Sequence, residues 1–231
     1  MFFLLALACL EQPSEVMLSG RVRASQYESD PAIGINVTSL DPELSPYGET
    51  QTNDAGDFEV SVAANGVYHI LFAQEGSVTT SFSGVAGSSN FSLDEDLLFV
   101  RSTAEVEELR ALHENCPDSD LEGGIIEGLV RLPIMSNATG DYMTAETASV
   151  EASLNDAITY TPCYLDDDGA SLPESDRVGA TGKFAIFGVN EGAISLEFQR
   201  DIGDKTLSNY AFAYMPDNGF IPLFSIVVDL Q

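Results

Sequence analysis

The chain has 231 residues, 44% of them hydrophobic, and carries 9 basic against 37 acidic side chains for a formal net charge of −28. That hydrophobic content supports buried cores and excludes wholesale disorder, and the length fits one large domain or two ordinary ones. So acidic a surface repels nucleic acid and anionic lipid headgroups; it suits solubility at high salt or the attraction of divalent cations.

The chain opens with MFFLLALACLEQPSE (1–15), ten apolar residues and then polar sequence. The run is too short to span a bilayer as a helix, and its composition suits the apolar part of an export signal, without a positively charged leader. Cys9, inside LALAC, resembles the cysteine of a bacterial lipobox, although Ala6 stands where Leu is usual. That resemblance implies lipidation at Cys9; the alternative is an ordinary signal peptide that contains a cysteine.

Strands are expected at 16–23 and 33–37, where Ile33, Ile35 and Val37 alternate with polar residues. The next segment, NDAGDFEVSVAANGVYHILF, alternates Phe58, Val60 and Val62 with polar residues, and after Gly66 repeats the alternation at Tyr68, Ile70 and Phe72. Further strands are expected at 77–82 and 97–100. The segment 102–113, STAEVEELRALH, has Ser102 and Glu105 in capping-box spacing and Val106, Leu109 and Leu112 on one face, and predicts a short helix. Strands follow at 125–132, 150–154, 210–214 and 221–230. Between them, ATGKFAIFGVNEGAISLEF reproduces the earlier segment without a gap, with Phe184 and Ile186 before Gly192 and Ile194, Leu196 and Phe198 after it.

Period-two alternation broken by Asn/Gly predicts an antiparallel hairpin with one buried face in each copy. Gly66 and Gly192 are expected in the turns, and Gly56 and Gly182 at the strand entries. The fold class expected is all-β: two tandem Ig-like or transthyretin-like Greek-key β-sandwiches joined by a short helix. The divisions are a signal-like segment at 1–15, a first sandwich at 16–101, a helical linker and acidic turn at 102–122, and a second sandwich at 123–231 with an insertion at 136–173.

TNDAGDFEVSVAANGVYHILF, together with LSGRV and AIGINVTS, resembles the carboxypeptidase regulatory-like domains, transthyretin-like sandwiches of bacterial surface proteins. The second half carries the resemblance at VGATGKFAIFGVNEGAISLEF and IIEGLVR only. The resemblance implies a non-catalytic accessory module. Consistently, no Gly-x-Ser-x-Gly elbow, His-Glu-x-x-His or phosphate loop is present. His69 falls on the outward phase of its strand and is expected to be solvated, and His113 closes the helix, where a cation suits the C-terminus.

With Cys9 lipidated, Cys116 and Cys163 are left as a disulfide pair, neither lying in a zinc-ligand spacing. Acidic residues follow both: Asp118, Asp120 and Glu122 after the first, and Asp166, Asp167 and Asp168 after the second. A disulfide would draw these carboxylates together, and calcium is the hard cation such a group would take. Asp118-x-Asp120-x-Glu122 resembles the opening of a calcium loop, yet Leu129 stands where the closing Glu belongs. Two solvated acidic turns are the alternative, in which case no cofactor is needed. Tyr142, Tyr160, Tyr164, Tyr210 and Tyr214 all lie in the second half, and no Trp is present, which counts against glycan binding. These tyrosines are expected in core or edge packing with the hydroxyl at the rim.

The function expected is a non-catalytic exported surface lipoprotein, a structural or adhesive module for protein or polymer partners. It would meet no nucleic acid and would touch a membrane only through its N-terminal lipid. The alternative is a periplasmic ligand- or calcium-binding protein.

Overall fold

The computed structural model describes residues 14–26, 29–93, 98–119, 122–133, 142–144, 149–154, 157–166, 170–172, 175, 177–178, 182–202 and 205–227. The first half supplies β1 (Glu15–Arg21), β2 (Asn36–Leu40), β3 (Pro46–Gln51), β4 (Asp57–Ala63), β5 (Val67–Ala73), β6 (Ser77–Val78), β7 (Thr80–Val85), β8 (Phe91–Ser92) and β9 (Arg101–Ser102). The helix α1 (Thr103–Leu112) follows. The second half supplies β10 (Gly124–Pro133), β11 (Tyr142–Thr144), β12 (Ser149–Leu154), β13 (Ile158–Tyr160), β14 (Cys163–Tyr164), β15 (Lys183–Val189), β16 (Gly192–Ile202), β17 (Lys205–Met215) and β18 (Phe220–Val227).

A nine-stranded sheet runs through both halves in the order β14-β15-β10-β18-β7-β5-β2-β3, with β11 on β10. The halves join in it where Phe220 of β18 pairs in parallel with Thr80 of β7. Over the first-half strands lies a small sheet, β4-β1-β8, and the four-stranded sheet β13-β12-β16-β17 serves the second half. Each half has its own apolar core: one around Leu18, Val60, Ile70 and Phe72, the other around Ile126, Phe184, Leu196 and Phe198.

The two matched segments are not hairpins. Strand β4 bonds to β1, whereas β5 bonds to β2 and β7 in the facing sheet. Likewise β15 bonds to β10 and β14, and β16 to β12 and β17. Each segment is therefore an arch that crosses the core from one sheet to the other. Period two reports which face is buried, and it is the same whether the next strand lies beside the first or opposite it. The turn of the first arch places Asn65 in the left-handed region (φ 55°), a conformation Asn tolerates, where the sequence pointed to Gly66. The strand-entry glycines behave as expected: Gly56 (φ 78°) and Gly182 (φ 72°) each accept a backbone hydrogen bond at 2.9 Å, from Val22 and Val130 respectively.

Smaller differences have similar causes. Strand β2 begins only at Asn36, after a turn at Gly34 (φ 71°), so Ile33 is 51% exposed. The segment 77–82 divides into β6 and β7; of the segment 97–100, residue 97 lies outside the described residues and Phe99 makes an isolated bridge to Arg23. Strand β3 was not foreseen, since PYGETQ buries no apolar row.

Helix α1 forms with the capping box in place. The Glu105 N–H donates to the Ser102 hydroxyl (3.2 Å), and the Ser102 N–H donates to the Glu105 carboxylate (2.8 Å). Burial works against the Glu105 charge, but bonds from Ser102 and Ser25 hold its carboxyl below the usual range. Val106 and Leu109 pack with Cys116, Cys163, Phe187 and Phe220 in a third cluster; Leu112, expected on that face, is 63% exposed. The helix connects the halves in sequence and packs on both, against Phe99 and Val78 of the first and Phe187 and Phe220 of the second.

Candidate binding face at the joint between the halves

The cysteine pair forms: Cys116 and Cys163 are bonded, with Cα atoms 5.4 Å apart. Of the acidic residues beside them, Asp120, Asp167 and Asp168 lie outside the described residues, as does Cys9. The described part of each turn is closed by its own bonds. Asp166 accepts a hydrogen bond from the Ala170 N–H (2.8 Å). Arg110, from the helix, donates to the carbonyls of Ser119 (3.2 Å) and Gly123 (2.5 Å), around Glu122. Asp118 takes a left-handed conformation (φ 58°). No group of three or more metal-ligating side chains occurs among the described residues.

Both histidines differ from expectation. His69 does lie on the outward phase of β5, but that face is covered by the second half, and the side chain is 5% exposed. Its Nδ1 lies 2.6 Å from the Ser83 hydroxyl on the paired strand β7, and its ring is 6.0 Å from that of Tyr214 on β17. His113 is buried against Phe187, and its Nδ1 has no hydrogen-bond partner. Burial holds both imidazoles below their ordinary range, which works against the helix-end cation expected at His113 and against the solvated position expected for His69.

Arg101, at the end of the first half, is the polar centre of the joint. It is buried, donates to Glu127 of β10 (2.5 Å) and to Gln26 (2.6 Å), and its guanidinium carbon lies 4.6 Å from the Phe220 ring centroid. Burial pushes the Glu127 carboxyl up, and the charges of Arg101 and Lys183 pull it back. An ion pair, a cation–π contact and shared sheet bonds thus tie the halves together.

Beside this joint lies an exposed aromatic face: Tyr210, expected in core or edge packing, stands outside with Phe212, which the sequence did not single out. Strand β17 reads Tyr210-Ala211-Phe212-Ala213-Tyr214-Met215, with Ala211, Ala213 and Met215 on the inward phase: Ala213 and Met215 are buried in the second core and Ala211 packs against it. The aromatic phase faces out, with Tyr210 56% and Phe212 62% exposed. The signal was present as large residues on one phase and alanines on the other. The usual rule sends the larger set inward, and here the core on that side is already filled by Phe184 and Phe198.

The neighbouring strands set small and acidic residues beside the aromatic row. Ala193, Ser195 and Glu197 of β16 lie opposite Tyr214, Phe212 and Tyr210, and Glu151 of β12 lies opposite Glu197. The Tyr210 hydroxyl donates to Glu197 (2.9 Å) and that of Tyr214 to Glu191 (2.7 Å). Gln199, then Tyr210, hold the Glu197 carboxyl low. Burial, then Glu191, push the Tyr214 hydroxyl up to about 12. Phe212 of the row lines a cleft of about 320 Å³ between the halves, with Pro42, Val67 and His69 on one side and Ala193 and Ser195 beside it on the other. A larger cleft of about 670 Å³ is lined by residues of β1, β3, β4 and β8, and on its sheet side neighbouring strands are bonded through Arg21 and Asp57 (2.7 Å) and through Ser19 and Ser92 (2.6 Å).

No helix among the described residues is long and apolar enough to cross a membrane. No protein-family model matches the chain, and no curated protein matches it. Among solved structures the chain is similar to the minor pilin GBS52 of Streptococcus agalactiae, with 11% identity over 94% of this chain and 96% of that one, and a TM-score of 0.32. It is similar also to the shaft pilin SpaA of Lactobacillus rhamnosus GG, with 13% identity, 94% and 98% coverage and a TM-score of 0.27. The TIE protein of Bacillus anthracis gives 11% identity and a TM-score of 0.28, with this chain covering 34% of its length.

Proposed function

We propose that the chain is a non-catalytic exported module that binds a protein or polymer partner at the cell surface, anchored by lipid at Cys9. The observation that carries this reading is the outward aromatic row of β17, since large exposed apolar groups side by side on a sheet face mark contact surfaces. The Cys116–Cys163 bond supports export, because such bonds persist in oxidising compartments. The net charge of −28 suits a surface that stays soluble and does not self-associate. Two arches in matching register, each entered through a left-handed glycine, support a duplicated transthyretin-like Greek-key sandwich of the carboxypeptidase regulatory-like kind. In this reading 16–101 and 123–231 are the two copies. The ion pair and sheet bonds at the joint would make them one rigid body that presents the face at a fixed angle.

The test is expression of the full chain and of Cys9→Ser in a bacterial host, with fatty-acid labelling, fractionation and a membrane-impermeant surface label. The expected result is a lipid-labelled, surface-reactive chain, and an unlabelled, unanchored Cys9→Ser form. A chain that stays in the cytosol with Cys116 and Cys163 reduced would overturn the reading.

A further inference from the structure

We infer that the outer face of β16 and β17 docks an extended cationic peptide, a strand bearing lysine or arginine on alternate positions. This deepens the binding-module reading and rests on it.

Three features decide the occupant. The first is spacing. Tyr210, Phe212 and Tyr214 occupy alternate positions of one strand, so their rings repeat every ~6.8 Å, the spacing at which an extended peptide presents the side chains of one face. The second is preorganisation. The outer tyrosine is fixed at its hydroxyl by Glu197 and the inner one by Glu191, so little side-chain freedom remains to be lost on binding. The third is charge. Glu151 and Glu197 stand directly opposite each other on adjacent strands, so two carboxylates flank the aromatic row on one side. Asp217, near the joint, adds its charge at Tyr214. Arg177, beyond the far end of the row, is engaged by Asp201 at 3.2 Å. Aromatic faces flanked by carboxylates hold ammonium and guanidinium groups by cation–π attraction and by charge together.

Charge also excludes other occupants. A second copy of this chain would bring the same carboxylates against themselves. A neutral glycan would stack on the rings but would gain nothing from Glu151, Glu191 and Glu197.

The experiment measures binding of fluorescein-labelled peptides to the intact oxidised chain by anisotropy, at ~0.15 M ionic strength where long-range attraction is screened. One peptide alternates lysine with threonine, a second alternates glutamate with threonine, and a neutral cello-oligosaccharide serves as competitor. The lysine peptide is expected to bind and the glutamate peptide not to. Phe212→Ser, at an exposed position, is expected to weaken binding about tenfold or more, as loss of an aromatic anchor does. Glu197→Gln with Glu191→Gln is expected to weaken it too, and Glu59→Gln, outside the face, to leave it unchanged. Failure of the lysine peptide to bind overturns the inference, as does equal binding by the Phe212→Ser chain. If the oligosaccharide binds in a Phe212-dependent way and the lysine peptide does not, the cationic occupant is wrong while the module reading stands. Loss of surface exposure in the labelling experiment strikes the module reading itself.

Discussion

Phe58 and Phe72 meet edge to face across the first core, with ring centroids 5.4 Å apart and planes at 74°, although their strands belong to different sheets. Phe184 and Phe198 repeat the contact in the second core at 5.9 Å and 61°. Each leading ring also covers a glycine on the strand bonded to it: Gly20 is opposite Phe58, and Gly128 is opposite Phe184. A methyl group at Gly20 would come within 2.9 Å of the Phe58 ring, and one at Gly128 would run into the Phe184 ring. One glycine and two phenylalanines thus form a packing unit that occurs once per core.

This unit predicts matched stability losses. Phe58→Ala and Phe184→Ala should each cost about 3–5 kcal/mol, the range for deleting a buried aromatic ring. Gly20→Ala and Gly128→Ala should each cost about 1–3 kcal/mol by overpacking. Urea denaturation of the four variants checks both, and parallel losses in the two halves are the expected pattern.

Reduction of the Cys116–Cys163 bond should lower stability by about 4 kcal/mol, from the loop of 47 residues it closes. The loss should fall on the third cluster, where the bond meets Val106, Leu109 and Phe187. Hydrogen exchange in α1 should therefore rise before exchange in β5 does, which mass spectrometry of the reduced chain would show.

Acid should destabilise the fold in two stages. His69 and His113 are held below their ordinary value of 6.5 by burial, so the unfolded chain binds protons that the folded one refuses. Their stabilising contribution is present above that value and is lost as pH falls from it toward the lower folded values, by up to ~1.4 kcal/mol per pH unit for each proton. Asp57, held low first by its bond from Arg21, and Asp201, held low first by Thr206, add losses only below their ordinary value of 3.8. Thermal melts from pH 8 to 3 should show both stages, and His113→Leu should reduce the first to the share of His69 without moving the second.

At the joint, Arg101→Met should cost about 3–5 kcal/mol, because it strands the Glu127 carboxylate in a buried site. Adding Glu127→Leu should recover much of that loss, because the charge left behind is then gone. A double-mutant cycle on urea midpoints measures the coupling.

How much of this was legible in the sequence depends on what alternation encodes. Phe58, Val60, Val62, Tyr68, Ile70 and Phe72 are all buried, as their period requires, and the helix with its Ser102–Glu105 cap formed within a residue of its expected ends. What alternation does not carry is the bonded neighbour, so an arch passed for a hairpin. It does not carry the partner half either, which is why His69 was read as solvated when β17 of the other half covers it. Nor does it rank two phases that are both apolar. In Tyr210-Ala211-Phe212-Ala213-Tyr214 the inward phase carries Ala211 and Ala213 beside Phe184 and Phe198, followed by the buried Met215, and Tyr210 and Phe212 stand outside.

That last placement is the central claim, and the urea midpoint of Phe212→Ser tests it most directly. If Phe212 serves contact and not folding, the midpoint should match that of the unmodified chain, within the ~0.5 kcal/mol expected at a surface site. A fall of several kcal/mol, like that expected for Phe184→Ala, would place the ring in a core and contradict the account.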